Sequence, residues 1–143
     1  MEEKAVIDTY AVLAMAYGEL SERAREVMLG VREGKVEGLI PTTVAYELAV
    51  HWLRGMLPAL KSLDELKTFL TSYFRVVELS LDDFLESAKV KSEGDRLVSS
   101  MGRTLSFVDS TVIHVAKKLR AIVVTGDKDL TAVAKSLGVE VVW

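Results

Sequence analysis

Cysteine is absent from this 143-residue chain. That excludes a disulfide framework, a thiolate nucleophile, a zinc ribbon and an iron–sulfur centre together. Asparagine and glutamine are missing too. With Glu, Lys and Arg abundant, this fits selection against side chains that degrade on heating, and so a thermophilic source. Net positive charge is also lacking: 18 Lys and Arg against 21 Asp and Glu give a formal charge of −3. The chain therefore does not hold nucleic acid through bulk positive charge, and any such role must rest on local basic residues or on metal ions held by acids. No run is long and apolar enough to span a bilayer. Met1-Glu2-Glu3-Lys4 leads directly into a strand without a signal-peptide pattern, so the expected location is the cytoplasm. P-loop, G-x-G-x-x-G, G-x-S-x-G and H-E-x-x-H motifs are all missing.

What remains is a chain long enough for one domain that buries roughly two-thirds of the surface exposed when unfolded. Ala5-Val6-Ile7 reads as a short buried strand ending on Asp8-Thr9, which opens a helical run. Leu20, Ala24, Val27, Met28 and Val31 recur at helical spacing, with Gly34 placed as a stop. Gly38–Pro41 reads as a second strand, and Thr42-Thr43 starts a helix striped by Ala45, Leu48, Ala49, Trp52, Leu53 and Met56. A further helix is predicted over Leu63–Phe74, a third strand over Val76–Leu79, and a helix from Ser80 to about Ser92. Gly94–Leu105 has the weakest periodicity and is expected to be a mobile loop. Val108, Val112, Val115 and Leu119 mark a helix, Ala121–Thr125 a fourth strand, and Leu130, Val133, Ala134 and Leu137 a last helix. Val139–Trp143 closes the chain as a fifth strand. Strands alternating with helices over short connections predict an α/β fold, a five-stranded parallel sheet flanked by helices on both faces.

On that layout Asp8 leaves strand one, Glu47 lies about a turn into the helix after strand two, and Asp127 leaves strand four. Parallel strands carry their carboxyl ends to one edge, where these acids converge, and Asp109 joins them if its helix starts there. Each acid has an ordinary structural use. Asp8 or Thr9 can cap a helix, Ser106-Phe107-Val108-Asp109 matches a capping box, Glu47 can be solvated, and Asp127 can cap the last helix. Several carboxylates in one cleft nevertheless repel unless a cation neutralises them. An all-oxygen donor set suits Mg²⁺ or Mn²⁺, which lower the pKa of a bound water and clamp phosphate oxygens.

Asp8-Thr9 after an apolar strand, Glu47 after Pro41-Thr42-Thr43, Asp109 in Leu105-Ser106-Phe107-Val108-Asp109, and Thr125-Gly126-Asp127-Lys128-Asp129 together resemble the PIN domain, in its small single-domain form typified by VapC toxins. The resemblance spans nearly the whole chain and implies a Mg²⁺- or Mn²⁺-dependent endoribonuclease. Asp8, Glu47, Asp109 and Asp127 would form the metal-holding acidic cluster, Thr125 would support it, and Asp129 and Thr9 would stand behind. It further implies a homodimer and a small antitoxin whose tail enters the cleft. Leu130 and Tyr46 depart from residues frequent in the family, but neither is one of the acids. Arg96, Arg103 and Lys117, with Lys118 and Arg120, are candidate contacts to RNA phosphates. His51 follows Glu47 by one turn, while His114 is not assigned to the site. Trp52, Met56, Leu57 and Leu60 are divided between core and a partner contact. Two competing readings are a non-catalytic module that binds RNA or protein through the same sheet, and a DNA-directed nuclease of related chemistry.

Overall fold

The structure, a computed structural model, describes residues 3–143. At its centre lies β1 (Glu3–Ile7), whose Ala5, Val6 and Ile7 are fully buried. It pairs in parallel with β2 (Val36–Pro41) on one side and with β4 (Ile122–Val124) on the other. Val6 stands opposite both Leu39 and Val123. β3 (Arg75–Val77) and β5 (Val141–Val142) complete a five-stranded parallel sheet in the order β3-β2-β1-β4-β5. The outer strands pair on one side only, and are shorter there than the apolar runs Val76–Leu79 and Val139–Trp143 predict.

The strand order steps outward from β1 to β2 and β3, then returns to β4 and β5 on the opposite side. Right-handed crossovers therefore lay α1 (Thr9–Ala16), α2 (Glu22–Arg32), α3 (Thr42–Leu53) and α4 (Leu63–Tyr73) on one face of the sheet. α5 (Leu81–Val98), α6 (Phe107–Leu119) and α7 (Lys128–Ser136) belong to the other. The reversal between β1 and β4 is a topological switch point, where adjacent connections leave in opposite directions and open a crevice at the strand carboxyl ends.

The expected mobile loop over Gly94–Leu105 is corrected by α5, which continues through Val98, followed by a 3-10 turn at Ser99–Met101. Asp83, Ser87, Val90, Gly94 and Val98 are all buried on one face of this helix. Small and polar residues fill most of that stripe, so hydrophobic periodicity does not register it. Gly94 is a packing contact: a Cβ there would lie 2.8 Å from Leu105 Cδ2 and 3.1 Å from Val133 Cγ1. The helix is docked on α6 by Asp83, whose Oδ1 accepts from His114 Nε2 at 2.8 Å and Lys118 Nζ at 2.9 Å. Ser80 and Asp83 complete a reciprocal capping box.

Gly→Ala within a helix ordinarily stabilises by about 0.5–1 kcal/mol. Here the close approach of Leu105 reverses the sign, so Gly94→Ala is expected to destabilise by about 1–3 kcal/mol. Urea denaturation measures this. A neutral or stabilising result would mean that residue 94 is not packed as described.

Candidate active site

Asp8 and Asp127 leave the ends of β1 and β4, the two strands that flank the switch point. Asp8 is the N-cap of α1, with extended backbone, and its Oδ1 accepts from the Ala11 N–H at 2.8 Å. Its Oδ2 accepts from the hydroxyl of Thr125. The Thr125 oxygen in turn accepts the Asp127 N–H at 3.0 Å, and Asp127 Oδ1 caps α7 by accepting from the Leu130 N–H at 3.0 Å. Asp8 is 3 % exposed and Thr125 is fully buried. The cap of α1 is thus Asp8 itself, not Thr9. Thr9 lies inside the first turn, and its buried hydroxyl has no hydrogen-bond partner among the described residues.

Asp109 sits in the first turn of α6. Ser106 caps that helix by accepting the Asp109 N–H at 3.0 Å, but the reciprocal bond from the Asp109 carboxylate to the Ser106 N–H is not among those formed by the described residues. The same Ser-x-x-Asp pattern at Ser80–Asp83 makes both halves. The Asp83 carboxylate is thus bonded back to the backbone of its cap, while that of Asp109 meets the Ser106 hydroxyl and its acidic neighbours. Glu47, half-buried on α3, is brought to Asp109 by a bond the sequence does not announce. Thr43 and Thr111 Oγ1 atoms lie 2.6 Å apart, both buried, joining α3 to α6. Thr111 gives its only hydroxyl proton to Val108 O, so Thr43 is the donor between them. Thr43 precedes Glu47 by about one helical turn, so a contact that holds α3 against α6 keeps Glu47 near α6, where it is close enough to Asp109 to repel its charge.

Electrostatics register the crowding. Burial raises the Asp8 pKa from 3.8 to about 7, opposed by the bonds from Thr125 and Ala11 and reinforced by repulsion from Asp109 and Asp127. Burial likewise raises Asp109 from 3.8 to about 7; repulsion from Asp127, Glu47 and Asp129 adds to it, and the Ser106 hydroxyl opposes it. Asp8, Asp109, Asp127, Glu47 and Asp129 thus share one electrostatic neighbourhood. Asp129 is paired with Arg103, Nη1 to Oδ1 at 2.8 Å. The cleft is flanked by Tyr10 and Trp143 in edge-to-face contact, centroids 5.3 Å apart, over Gly126. A Cβ at Gly126 would lie 2.5 Å from Tyr10.

The other expected residues separate. Arg96 and Lys117 are exposed on α5 and α6, and neither makes an ion pair with an acid among the described residues. Lys118 and His114 are both turned to Asp83. His51 Nδ1 lies 3.1 Å from Met56 Sδ rather than reaching Glu47. Leu57 is core, Trp52 donates to Leu60 O at 2.8 Å, and Met56 is exposed.

The donors in the cleft are all carboxylate and hydroxyl oxygens, which is the ligand chemistry of Mg²⁺ and Mn²⁺. Among the described residues, no three acids close into a ready-made metal cage. Both oxygens of Asp8 are engaged by Ala11 and Thr125, and one of Asp127 by Leu130. Asp109, Glu47 and the second oxygen of Asp127 remain. Such an open set fits a hydrated ion that retains several of its waters, as Mg²⁺ does.

Residues 5–136 match the PIN domain. The chain belongs to the PIN domain family. No curated protein matches it. Among solved structures, the chain is similar to VapBC2 of Rickettsia felis bound to a promoter DNA fragment, with TM-score 0.68 and 12% identity over 98% of each chain. It is similar to PAE2754 of Pyrobaculum aerophilum, with TM-score 0.61 and 21% identity over 97% of this chain and 83% of that one. It also resembles VapC20 of Mycobacterium tuberculosis, a Sarcin-Ricin loop cleaving toxin, with TM-score 0.61 and 19% identity over 90% and 93% of the two chains. At these identities the likeness is one of fold.

A carboxylate whose folded pKa lies above its unfolded value stabilises below the unfolded pKa, and that contribution is lost as pH rises through the folded pKa. For Asp8 the window runs from 3.8 to about 7. In metal-free protein, Asp8→Asn keeps the cap oxygen but removes the buried charge. It is expected to raise the Tm by a few degrees at about pH 8, the gain shrinking to nothing near pH 4. Asp8→Ala removes the cap as well and sacrifices about 1 kcal/mol of helix stability. Melts of the three proteins across pH measure this. A lower Tm for Asp8→Asn at about pH 8 would overturn the description of a repulsive cluster.

Proposed function

We propose that this protein is a Mg²⁺- or Mn²⁺-dependent endoribonuclease, the toxin of a VapBC-type pair, and that it acts as a cytoplasmic single-domain protein. The observation that carries the reading is the hydroxyl of Thr125, which binds Asp8 and Asp127 across the switch point while Asp109 crowds them. Burying acids against one another is destabilising, and a metal site for phosphodiester hydrolysis gives that arrangement a use. Membership of the PIN domain family supports it, as does likeness of fold to a toxin described as cleaving the Sarcin-Ricin loop.

In this reading Asp109, Asp127, Glu47 and Asp8 hold the ion, partly through water. When bound it supplies an activated water and a Lewis acid for the phosphate. The chain's own part is positional. Thr125 fixes the rotamer of Asp8, the caps of α1 and α7 fix the backbone behind Asp8 and Asp127, and the Thr43–Thr111 bond joins the helices that carry Glu47 and Asp109.

The partner and the homodimer belong to the same proposal. The Rickettsia felis relative is described as a VapBC complex. A cleft of about 650 Å³ between α2 and α4, lined by Met28, Leu29, Phe69 and Tyr73 with Arg25 and Arg32, has the apolar floor and basic residues that suit an acidic amphipathic antitoxin segment. Tyr46 and Leu53 on α3 and Leu81 and Leu85 on α5 are more than half exposed, which suits a second copy of the chain. Among the described residues, no helix is long and apolar enough to cross a membrane.

The test is cleavage of single-stranded and structured RNA by purified protein. Cleavage is expected with Mn²⁺ or Mg²⁺, none with EDTA, and a loss of at least about a hundredfold for Asp109→Asn and Asp127→Asn. Mn²⁺ is expected to raise the Tm of the parent, by relief of carboxylate repulsion, and that of Asp109→Asn less. RNA left intact, with a Tm indifferent to Mn²⁺, would favour the non-catalytic module. Cleavage confined to matched DNA would move the substrate class.

A further inference from the structure

Among the described residues, one basic side chain forms an ion pair with an acid of the cleft: Arg103, 2.8 Å from Asp129. The segment that delivers it is anchored at both ends. Val98 and Leu105 are buried, at 1 % and 0 % exposure. The Leu105 N–H donates to Asp95 Oδ1 at 2.7 Å, and its carbonyl accepts from Lys91 Nζ at 2.7 Å. Lys91 and Asp95 pair with each other at 3.1 Å, and Gly94 is the residue without which Leu105 does not seat. Between these anchors the chain turns through Ser99–Met101 and Gly102, whose φ of 68° suits glycine, and the Arg103 N–H returns to Val98 O at 3.3 Å. The result is a short arm with a guanidinium at its tip.

Stability of the ion pair does not account for such an arm. Its partners are 47 % and 26 % exposed, and pairs of that kind contribute about 0–1 kcal/mol. The guanidinium has donors to spare. Nη1 meets Asp129 and Nη2 meets only the thioether of Met101 at 3.6 Å, a weak acceptor, which leaves Nε–H and the second hydrogens of both terminal nitrogens. A planar fork of that kind recognises phosphate oxygens. Asp129 in turn is near enough to Asp109 to repel its charge, so the fork stands beside the cluster.

We propose that Arg103 is a substrate-binding residue that holds a backbone phosphate of the RNA strand next to the acidic cluster, with Asp129 keeping it aimed until the strand arrives. The proposal rests on the ribonuclease reading and names the residue that brings a polyanion to a cleft lined by acids.

The test compares the parent with Arg103→Ala and Arg103→Lys in two assays. The first measures metal-free binding of a fluorescent single-stranded RNA across a salt series; the second measures kcat and KM for its cleavage with Mn²⁺. Arg103→Ala is expected to raise Kd and KM roughly tenfold, the loss of about one charge-assisted contact, with kcat nearly unchanged. The slope of log K against log salt should fall by about 0.7, and Arg103→Lys should restore that slope and part of the affinity. Unchanged Kd, KM and slope in Arg103→Ala, or a fall confined to kcat, overturns the proposal and leaves the ribonuclease standing. Equal losses in Arg103→Ala and Arg103→Lys, accompanied by a lowered Tm, make the arm structural and also overturn it. A parent that neither binds nor cleaves RNA overturns the ribonuclease reading, and this inference falls with it.

Discussion

One oxygen atom, the hydroxyl of Thr125, joins the two halves of the cleft. It gives its single proton to Asp8 at the end of β1 and takes the N–H of Asp127 at the start of α7. A serine-like side chain fixed on a mobile backbone could not do this. Thr125 follows β4 directly, its own N–H bonds Val142 O at 3.2 Å on β5, and its side chain is fully buried. The rotamers of Asp8 and the backbone of Asp127 therefore inherit the rigidity of the sheet. Capping and site duties are not alternatives here. The caps of α1 and α7 aim the two aspartates, and the hydroxyl locks them together.

Asp8 and Asp127 were legible in the sequence because a strand ending on an acid before a helix has one place to go in a parallel sheet, the switch-point crevice. The five parallel strands followed from the same alternation. Asp109 was legible only in part. Its Ser-x-x-Asp pattern is also that of Ser80–Asp83, and only the geometry separates a carboxylate bonded to its cap's backbone from one crowded by other acids. Glu47 stood one step further off, since its nearness to Asp109 depends on α3 packing on α6, which Thr43 and Thr111 join across 68 positions of chain. No local pattern encodes a contact of that separation.

The extent of α5 was not legible, and the reason is physical. Periodicity detects large apolar residues, whereas this helix buries Asp83, Ser87, Val90, Gly94 and Val98. Small residues are required because α6 and Leu105 approach closely, so the chain there looks like a loop because its packing is tight. The arm carrying Arg103 was hidden by the same cause. Gly94, in the stretch expected to be a loop, packs closely against Leu105, and Arg103 beyond it is paired with Asp129.

Asp109 on α6 and Asp83 on α5 pull in opposite directions with pH, and both act on α6. At its first turn Asp109 is raised to about 7 by burial and like charge, so it stabilises below the unfolded carboxyl pKa and loses that contribution as pH rises through the folded value. About one and a half and two and a half turns further on, His114 and Lys118 hold Asp83 well below the usual carboxylate range, with the Ser80 N–H assisting. A lowered carboxylate has the reverse linkage: its stabilisation is present above the unfolded pKa and is lost only as pH falls through the folded one. At neutral pH the Asp83 cluster therefore stabilises while Asp109 repels its neighbours. The Asp83 anchor and the crowding around Asp109 therefore bear on one element, α6, and change in opposite senses as pH rises.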